Sequence, residues 1–192
     1  MNEAVLELCD VGIKMGKRQL FSNASMKLEL GQFVTIRGEN GIGKSTLLKA
    51  VIGLVGPQQG TIKIQNKDLS TIDRRELFDT VSYVQASPHV FPYSLKLKDY
   101  FAAIAPLFKN WNHSLYNQLK QEFSLDDGLE LRTLSTGEHS KVRLLKALST
   151  QPQILLLDEL TSNLSRKSAD AVIKTILGLM VDRKMSVVYV TH

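Results

Sequence analysis

The chain has 192 residues, 43% apolar and 22% charged, which suits a globular protein with one substantial core and leaves no room for two full domains. No apolar run approaches the ~18 residues needed to span a bilayer, and the single cysteine, Cys9, excludes an internal disulfide and fits a reducing compartment. The net charge of +5 raises nucleic acid or anionic lipid as partners, but Lys and Arg are scattered along the chain, which argues against nucleic acid.

The first residues are acidic and apolar without a basic stretch, so no secretory signal is expected and the expected compartment is the cytoplasm. Lys14, Lys17 and Arg18 form the one tight basic group near the start and read as a solvated turn. Residues 26–30 alternate apolar and polar, as do residues 61–65, which predicts half-exposed antiparallel strands. Residues 32–37 form a short β-rich run directly ahead of a glycine-rich loop.

That loop, Gly38-Glu39-Asn40-Gly41-Ile42-Gly43-Lys44-Ser45-Thr46, has the spacing G-x-x-x-x-G-K-[ST] of a phosphate-binding loop. Glycines let successive backbone N–H groups curl around an anion, and Lys44 adds a mobile positive charge. Ser45 offers a hydroxyl to the Mg²⁺ that bridges the phosphates of a nucleoside triphosphate. Residues 45–55 read as a helix whose positive N-terminal end faces those phosphates, with Leu47, Leu48, Val51 and Ile52 as its apolar side.

The stretch 95–131 differs in texture. Residues 98–108 and 114–123 read as helices, with Pro106 limiting the first and Asp126-Asp127-Gly128 closing the second, and they define a helical insertion within about 90–135. Its aromatics, among them Phe91, Tyr93, Tyr100, Phe101, Phe108, Trp111, Tyr116 and Phe123, read chiefly as a small core of their own. Residues 140–150 read as a helix with Val142, Leu145 and Leu148 on one side.

Residues 154–157 and 187–190 are unbroken apolar runs, as expected of parallel strands covered on both faces. The first ends in Asp158 and Glu159, placing two carboxylates at the C-terminal edge of the sheet, where α/β proteins bind ligands. Asp158 is expected to hold Mg²⁺ and Glu159 to act as general base on the attacking water. Residues 165–180 form the clearest amphipathic helix, with Ala169, Val172, Ile173, Ile176, Leu177 and Met180 on one face and Ser165 as N-cap.

A phosphate loop alone leaves kinases, GTPases, helicases and transport ATPases open; the downstream residues narrow the choice. Leu134-Ser135-Thr136-Gly137-Glu138 resembles the LSGGQ signature of ATP-binding cassette (ABC) proteins. Gln85 resembles the Q-loop glutamine and His192 the switch histidine, so the chain resembles an ABC nucleotide-binding domain over essentially its whole length. The resemblance implies an α/β fold of the P-loop NTPase class: one domain with a mixed parallel core sheet, an N-terminal antiparallel β subdomain and the helical insertion. The family fold usually continues with further strands and helices, so a sequence ending at His192 is expected to be either truncated or a short family member.

As activity the resemblance implies ATP hydrolysis with Mg²⁺ by two such domains closed head to tail, each ATP lying between one phosphate loop and the other domain's signature. Lys44, Gln85, Glu159 and His192 are then the expected catalytic residues. Ser45, Gln85 and Asp158 become the metal side, and Ser135, Gly137 and Met15 contact the nucleotide, Met15 where an aromatic usually stacks on adenine. The leading reading is the ATPase subunit of a membrane transporter, of bacterial exporter type, peripheral on the cytoplasmic face and joined to separate transmembrane subunits. The alternatives are a soluble ABC ATPase acting on nucleic acid or ribosomes, and a weakly catalytic subunit of a heterodimer. Thr136 and Glu138 depart from the signature, Leu160 replaces a common proline, and Ser162-Asn163-Leu164-Ser165 lacks the usual aspartate. Glu138 is expected to bring negative charge close to the anionic ligand.

Overall fold

The computed structural model describes residues 3–85 and 94–191. Strands β1 (Ala4–Met15), β2 (Arg18–Glu29), β4 (Gln59–Ile64) and β5 (Lys67–Asp68) form an antiparallel sheet in the order β2-β1-β4-β5. Strands β3 (Phe33–Arg37), β6 (Val81–Gln85), β7 (Ile154–Asp158) and β8 (Ser186–Thr191) form a parallel sheet in the order β3-β8-β7-β6. Both sheet types expected from the hydrophobic patterning are therefore present.

The unbroken apolar run of β7 has a direct physical cause. Side chains alternate along a strand, and here each face meets a different core. Leu155 and Leu157 pack into a cluster with helices α5 (Thr136–Ser149) and α6 (Arg166–Arg183) and the helical insertion. Ile154 and Leu156 pack into a second cluster with helix α1 (Lys44–Val51) and the antiparallel sheet. All five residues of β7 are buried. Strand β8 divides the same way, with Val187 in the first cluster and Val188 and Val190 in the second.

Helix α1 stops at Val51, short of the expected residue 55, because Gly53 takes φ +72°. The Leu54 N–H donates to the Lys49 carbonyl (2.9 Å) and the Gly53 N–H to Ala50 (3.0 Å), a left-handed Schellman closure. Helix α2 (Arg74–Thr80) leads into β6, and in the insertion α3 (Leu97–Ile104) gives way to a 3₁₀ turn at Ala105–Leu107, shorter than the expected helix over 98–108. Pro106 has no N–H to continue the α-helical ladder. Helix α4 (His113–Glu122) closely matches expectation, capped by the Asn112 side chain on the Leu115 N–H (2.9 Å). Phe101 packs against Trp111 and Tyr116, with centroid separations of 5.9 and 4.9 Å, but Phe101 and Phe123 are buried in the same cluster as Leu155 and Leu157, so the insertion's aromatics extend the main core and do not form one of their own. Phe91 and Tyr93 lie outside the described residues.

Ser165 caps α6 as expected, its hydroxyl accepting from the Ser168 N–H (3.3 Å). The buried face of that helix is narrower than the sequence suggests. Val172, Ile176, Leu179 and Met180 are buried, while Leu177 is 46% exposed. The i, i+3, i+4 pattern counts apolar side chains and does not tell which edge of a wide stripe meets the core.

Candidate functional site

The glycine-rich loop joins β3 to α1, as its spacing requires. Gly41 and Gly43 take φ +75° and +109°, and a Cβ on Gly43 would lie 2.8 Å from the Phe21 ring and 3.2 Å from Leu20. The loop therefore sits directly on β2, which leaves no room for a side chain at position 43. Lys44 is buried, and its ammonium donates to the carbonyls of Gly38 (2.5 Å) and Glu39 (3.0 Å). Lys14, Lys17 and Arg18 lie exposed around the turn at residues 16–17, as expected, and from there the Arg18 guanidinium also reaches the loop and donates to the Gly41 carbonyl (3.2 Å).

A cavity of about 300 Å³ opens above the loop, walled by Met15, Arg18, Asn40, Lys44, Thr46 and Glu159, among others. Met15 is half exposed at its rim. Glu159 follows β7 with φ +52°, and its backbone N–H donates to the Val190 carbonyl (3.0 Å). A non-glycine residue in the left-handed region costs roughly 1 kcal/mol, and here that turn sends the carboxylate-bearing residue to the cavity wall.

Asp158 is only 3% exposed. The alternation that puts Ile154 and Leu156 on the α1 side puts Asp158 there too. One of its oxygens accepts from the Ser45 hydroxyl (2.9 Å) and the other from the Tyr83 hydroxyl (2.9 Å). Burial, then the hydrogen bond to Asp158 and that group's charge, push the Tyr83 phenol above its ordinary range, so it stays protonated and donates. Nothing local to residues 81–85 marks Tyr83 from sequence; its role depends on pairing with a strand whose carboxylate is 75 positions away.

The donor set suits Mg²⁺. One buried carboxylate and one hydroxyl, hard oxygen ligands at the mouth of a phosphate loop, match a cation that completes its shell with water and phosphate oxygens. Among the described residues no group of three or more His, Cys, Asp or Glu gathers into an all-protein metal cage.

Gln85 ends β6, with its Cα in register with Asp158, and its carbonyl accepts from Arg143 (3.2 Å). It lines a different cavity, a groove of about 580 Å³ along the outer strand of the parallel sheet, together with Tyr83, Tyr100, Phe108, Arg143 and Lys146. Burial lowers the Lys146 pKa from its usual value, and its ammonium lies 5.5 Å from the Phe108 ring centroid. Among the described residues the groove wall carries no carboxylate.

The signature segment is placed at the start of α5, which begins at Thr136 and not at the expected residue 140. The cause is a capping box. Ser135 Oγ accepts from the Glu138 N–H (3.3 Å), while the Glu138 carboxylate accepts from the Ser135 N–H (2.8 Å) and hydroxyl (2.7 Å). Those hydrogen bonds hold the Glu138 carboxyl below the usual carboxylate range. Glu138 is thus occupied within its own helix end, and Thr136 takes a helical position that needs no glycine. The S-x-x-E spacing was the available signal for this start. Gly137 packs against the turn Leu160–Asn163, where an added Cβ would lie 3.2 Å from the Asn163 carbonyl. Neither Ser135 nor Gly137 lines the phosphate-loop cavity. Leu160, in place of the common proline, is fully buried. His192 lies outside the described residues.

Comparison with known proteins identifies the family. The ABC transporter family profile matches residues 21–162. The probable iron export ATP-binding protein FetA of Escherichia coli (strain K12) is 30% identical over 197 residues, covering 100% of this chain and 86% of its own length. An ABC transporter ATP-binding protein of Methanocaldococcus jannaschii is 33% identical over 199 residues, covering 100% of this chain and 78% of its own. In fold, the chain is similar to a dimeric ATP-binding cassette in a post-hydrolysis state bound to ADP and Pi, with a TM-score of 0.82, 24% identity, and coverage of 97% and 88% of the two chains. The phosphate loop, the carboxylate pair at the end of a buried strand and these matches together show that the chain belongs to the ABC transporter family, as an ATP-binding and ATP-hydrolysing domain.

Proposed function

We propose that the chain is the ATPase subunit of a bacterial exporter-type ABC transporter, closing head to tail with a second ABC domain on Mg-ATP at the cytoplasmic face of the membrane. The observation that carries the chemistry is the meeting of Ser45 and Asp158 at 2.9 Å beside a cavity walled by Lys44 and Glu159. Lys44 leaves the loop carbonyls for phosphate oxygens when ATP enters. Ser45 and Asp158 would hold Mg²⁺, which when bound would supply positive charge to screen the phosphates. Glu159 takes a proton from the attacking water as the water oxygen bonds to the γ-phosphorus and the bridging oxygen departs with ADP. Gln85 and His192 complete the catalytic set, and Ser135 and Gly137 serve the ATP of the opposing domain, which agrees with their place outside this domain's own cavity.

The likeness to an iron export ATP-binding protein over the full chain supports export. No helix among the described residues is long and apolar enough to cross a membrane, and in this reading the translocation path is assigned to transmembrane partners. The groove beside Gln85, aromatic and cationic through Arg143 and Lys146, suits a partner helix that carries a carboxylate.

Replacing Glu159 with Gln tests the reading. Positioned bases are worth about 10²–10⁴ in rate, so phosphate release should fall by that factor while ATP binding persists and an ATP-bound dimer accumulates in light scattering. Unchanged turnover would remove Glu159 from the mechanism, and ATP binding without any dimer would remove the head-to-tail closure.

A further inference from the structure

We propose that Tyr83 is a positioning residue for the metal-binding carboxylate, fixing Asp158 so that its other oxygen faces Ser45 and the Mg²⁺. The inference rests on the reading of Ser45 and Asp158 as the metal's protein ligands. An aspartate carboxylate rotates broadly about its terminal torsion. A single donor leaves that rotation open, whereas donors on both oxygens fix its plane. Here Ser45 holds one oxygen and Tyr83 the other, each at 2.9 Å.

The placement follows from the sheet. Tyr83 is in register with Leu156, two residues before Asp158 on the neighbouring parallel strand. Paired residues share a face, so the phenol points toward α1, as do Leu156 and Asp158, and its length carries the hydroxyl to the end of β7. The ring packs against the cluster formed by α1 and the antiparallel sheet, so the hydroxyl is aimed by a rigid strand and a packed ring. Phenylalanine would fill the same space. What tyrosine adds is one donor, and in this structure that donor meets the buried carboxylate. A hydrogen-bonding partner of a metal ligand typically changes metal affinity 10–100-fold.

The test is Tyr83→Phe in the full chain, with a fluorescent ATP analogue titrated in EDTA and at graded Mg²⁺. Affinity in EDTA should stay within about twofold of wild type, while the Mg²⁺ concentration that half-restores tight binding rises about tenfold or more. On an Asp158→Asn background the same substitution should change the Mg²⁺ midpoint no further. A midpoint within twofold of wild type, or an equal shift with and without Asp158, would overturn the proposal. A second variant, Tyr83→p-aminophenylalanine, keeps a donor at the para position and should retain the wild-type midpoint; a tenfold shift there would also refute it. Wild-type binding that ignores Mg²⁺ would instead refute the metal assignment, a separate outcome.

Discussion

Gly41 and Gly43 stand two residues apart in the phosphate loop, and replacing each by Ala separates backbone strain from crowding. Gly41 takes φ +75° with nothing within 4 Å of an added Cβ, so Gly41→Ala should cost only the left-handed penalty, about 1 kcal/mol. Gly43 takes φ +109° and its new Cβ would lie 2.8 Å from Phe21 and 3.2 Å from Leu20. Strain of about 1–3 kcal/mol then adds to overpacking of about 1–3 kcal/mol, a total of about 2–6 kcal/mol. That is a large share of a typical stability of 5–15 kcal/mol. Urea unfolding of both variants measures the contrast, and Gly43→Ala combined with Phe21→Leu should recover most of the crowding part. Because the loop must shift to admit the methyl, ATP affinity should fall more for Gly43→Ala than for Gly41→Ala. Equal costs at the two positions, or no recovery in the double variant, would refute the close approach of β2 to the loop.

The capping box makes a prediction with a pH signature. Glu138→Ala should lower stability by about 0.5–1 kcal/mol at neutral pH. Since the folded-state pKa of Glu138 is depressed, its contribution is present above the unfolded carboxylate value and fades as pH falls through the lower folded value; urea unfolding at pH 7 and near pH 3 checks this, and a pH-independent difference would contradict it. Ser165→Ala should cost about 1 kcal/mol through loss of the α6 cap, readable in the same assay, and Ser165→Asp should restore it. Lys146→Met removes a buried ammonium whose lowered pKa penalises folding while the group is charged. Its gain should therefore be present at neutral pH and vanish as pH rises through that lowered value toward the ordinary lysine range. The net change stays within about 1 kcal/mol, because a cation–π contact worth about 0.5–1 kcal/mol is lost with it. A destabilisation beyond 2 kcal/mol would show that Lys146 has a counter-charge.

What could be read from sequence divides along the range of the interactions. The phosphate loop was legible because its demands are local: glycines at fixed offsets, then Lys44 and Ser45 at a helix start. Asp158 and Glu159 were legible because an apolar run buried on both faces must end somewhere, and two acids at that end have few structural uses. The early start of α5 was also local, since Ser135 and Glu138 have capping-box spacing. At Glu138 the carboxylate accepts from the Ser135 N–H and hydroxyl, a local pairing that the same spacing announces. The same holds at Ser165, where a serine supplies the N-cap oxygen that an aspartate would supply, so the helix start does not require the missing acid.

Tyr83 and Arg18 were not legible, because their partners are set by sheet pairing. Tyr83 reaches Asp158 across a parallel register spanning 75 residues, and Arg18 reaches Gly41 only once β2 lies over the loop. That pairing is in turn fixed by packing. Strand β7 is held between two clusters, Leu155 and Leu157 against the signature helix and the insertion, Ile154 and Leu156 against α1 and the antiparallel sheet. Asp158 closes the strand, so its carboxylate inherits the position set by both. Truncating Leu155 or Leu156 to Ala opens a cavity on one face or the other at about 2–5 kcal/mol, yet only Leu156 shares its face with Asp158, Tyr83 and α1. Leu156→Ala should therefore disturb Mg²⁺-dependent nucleotide binding more than Leu155→Ala at equal loss of stability, and equal disturbance would mean that the site is held by the strand backbone alone.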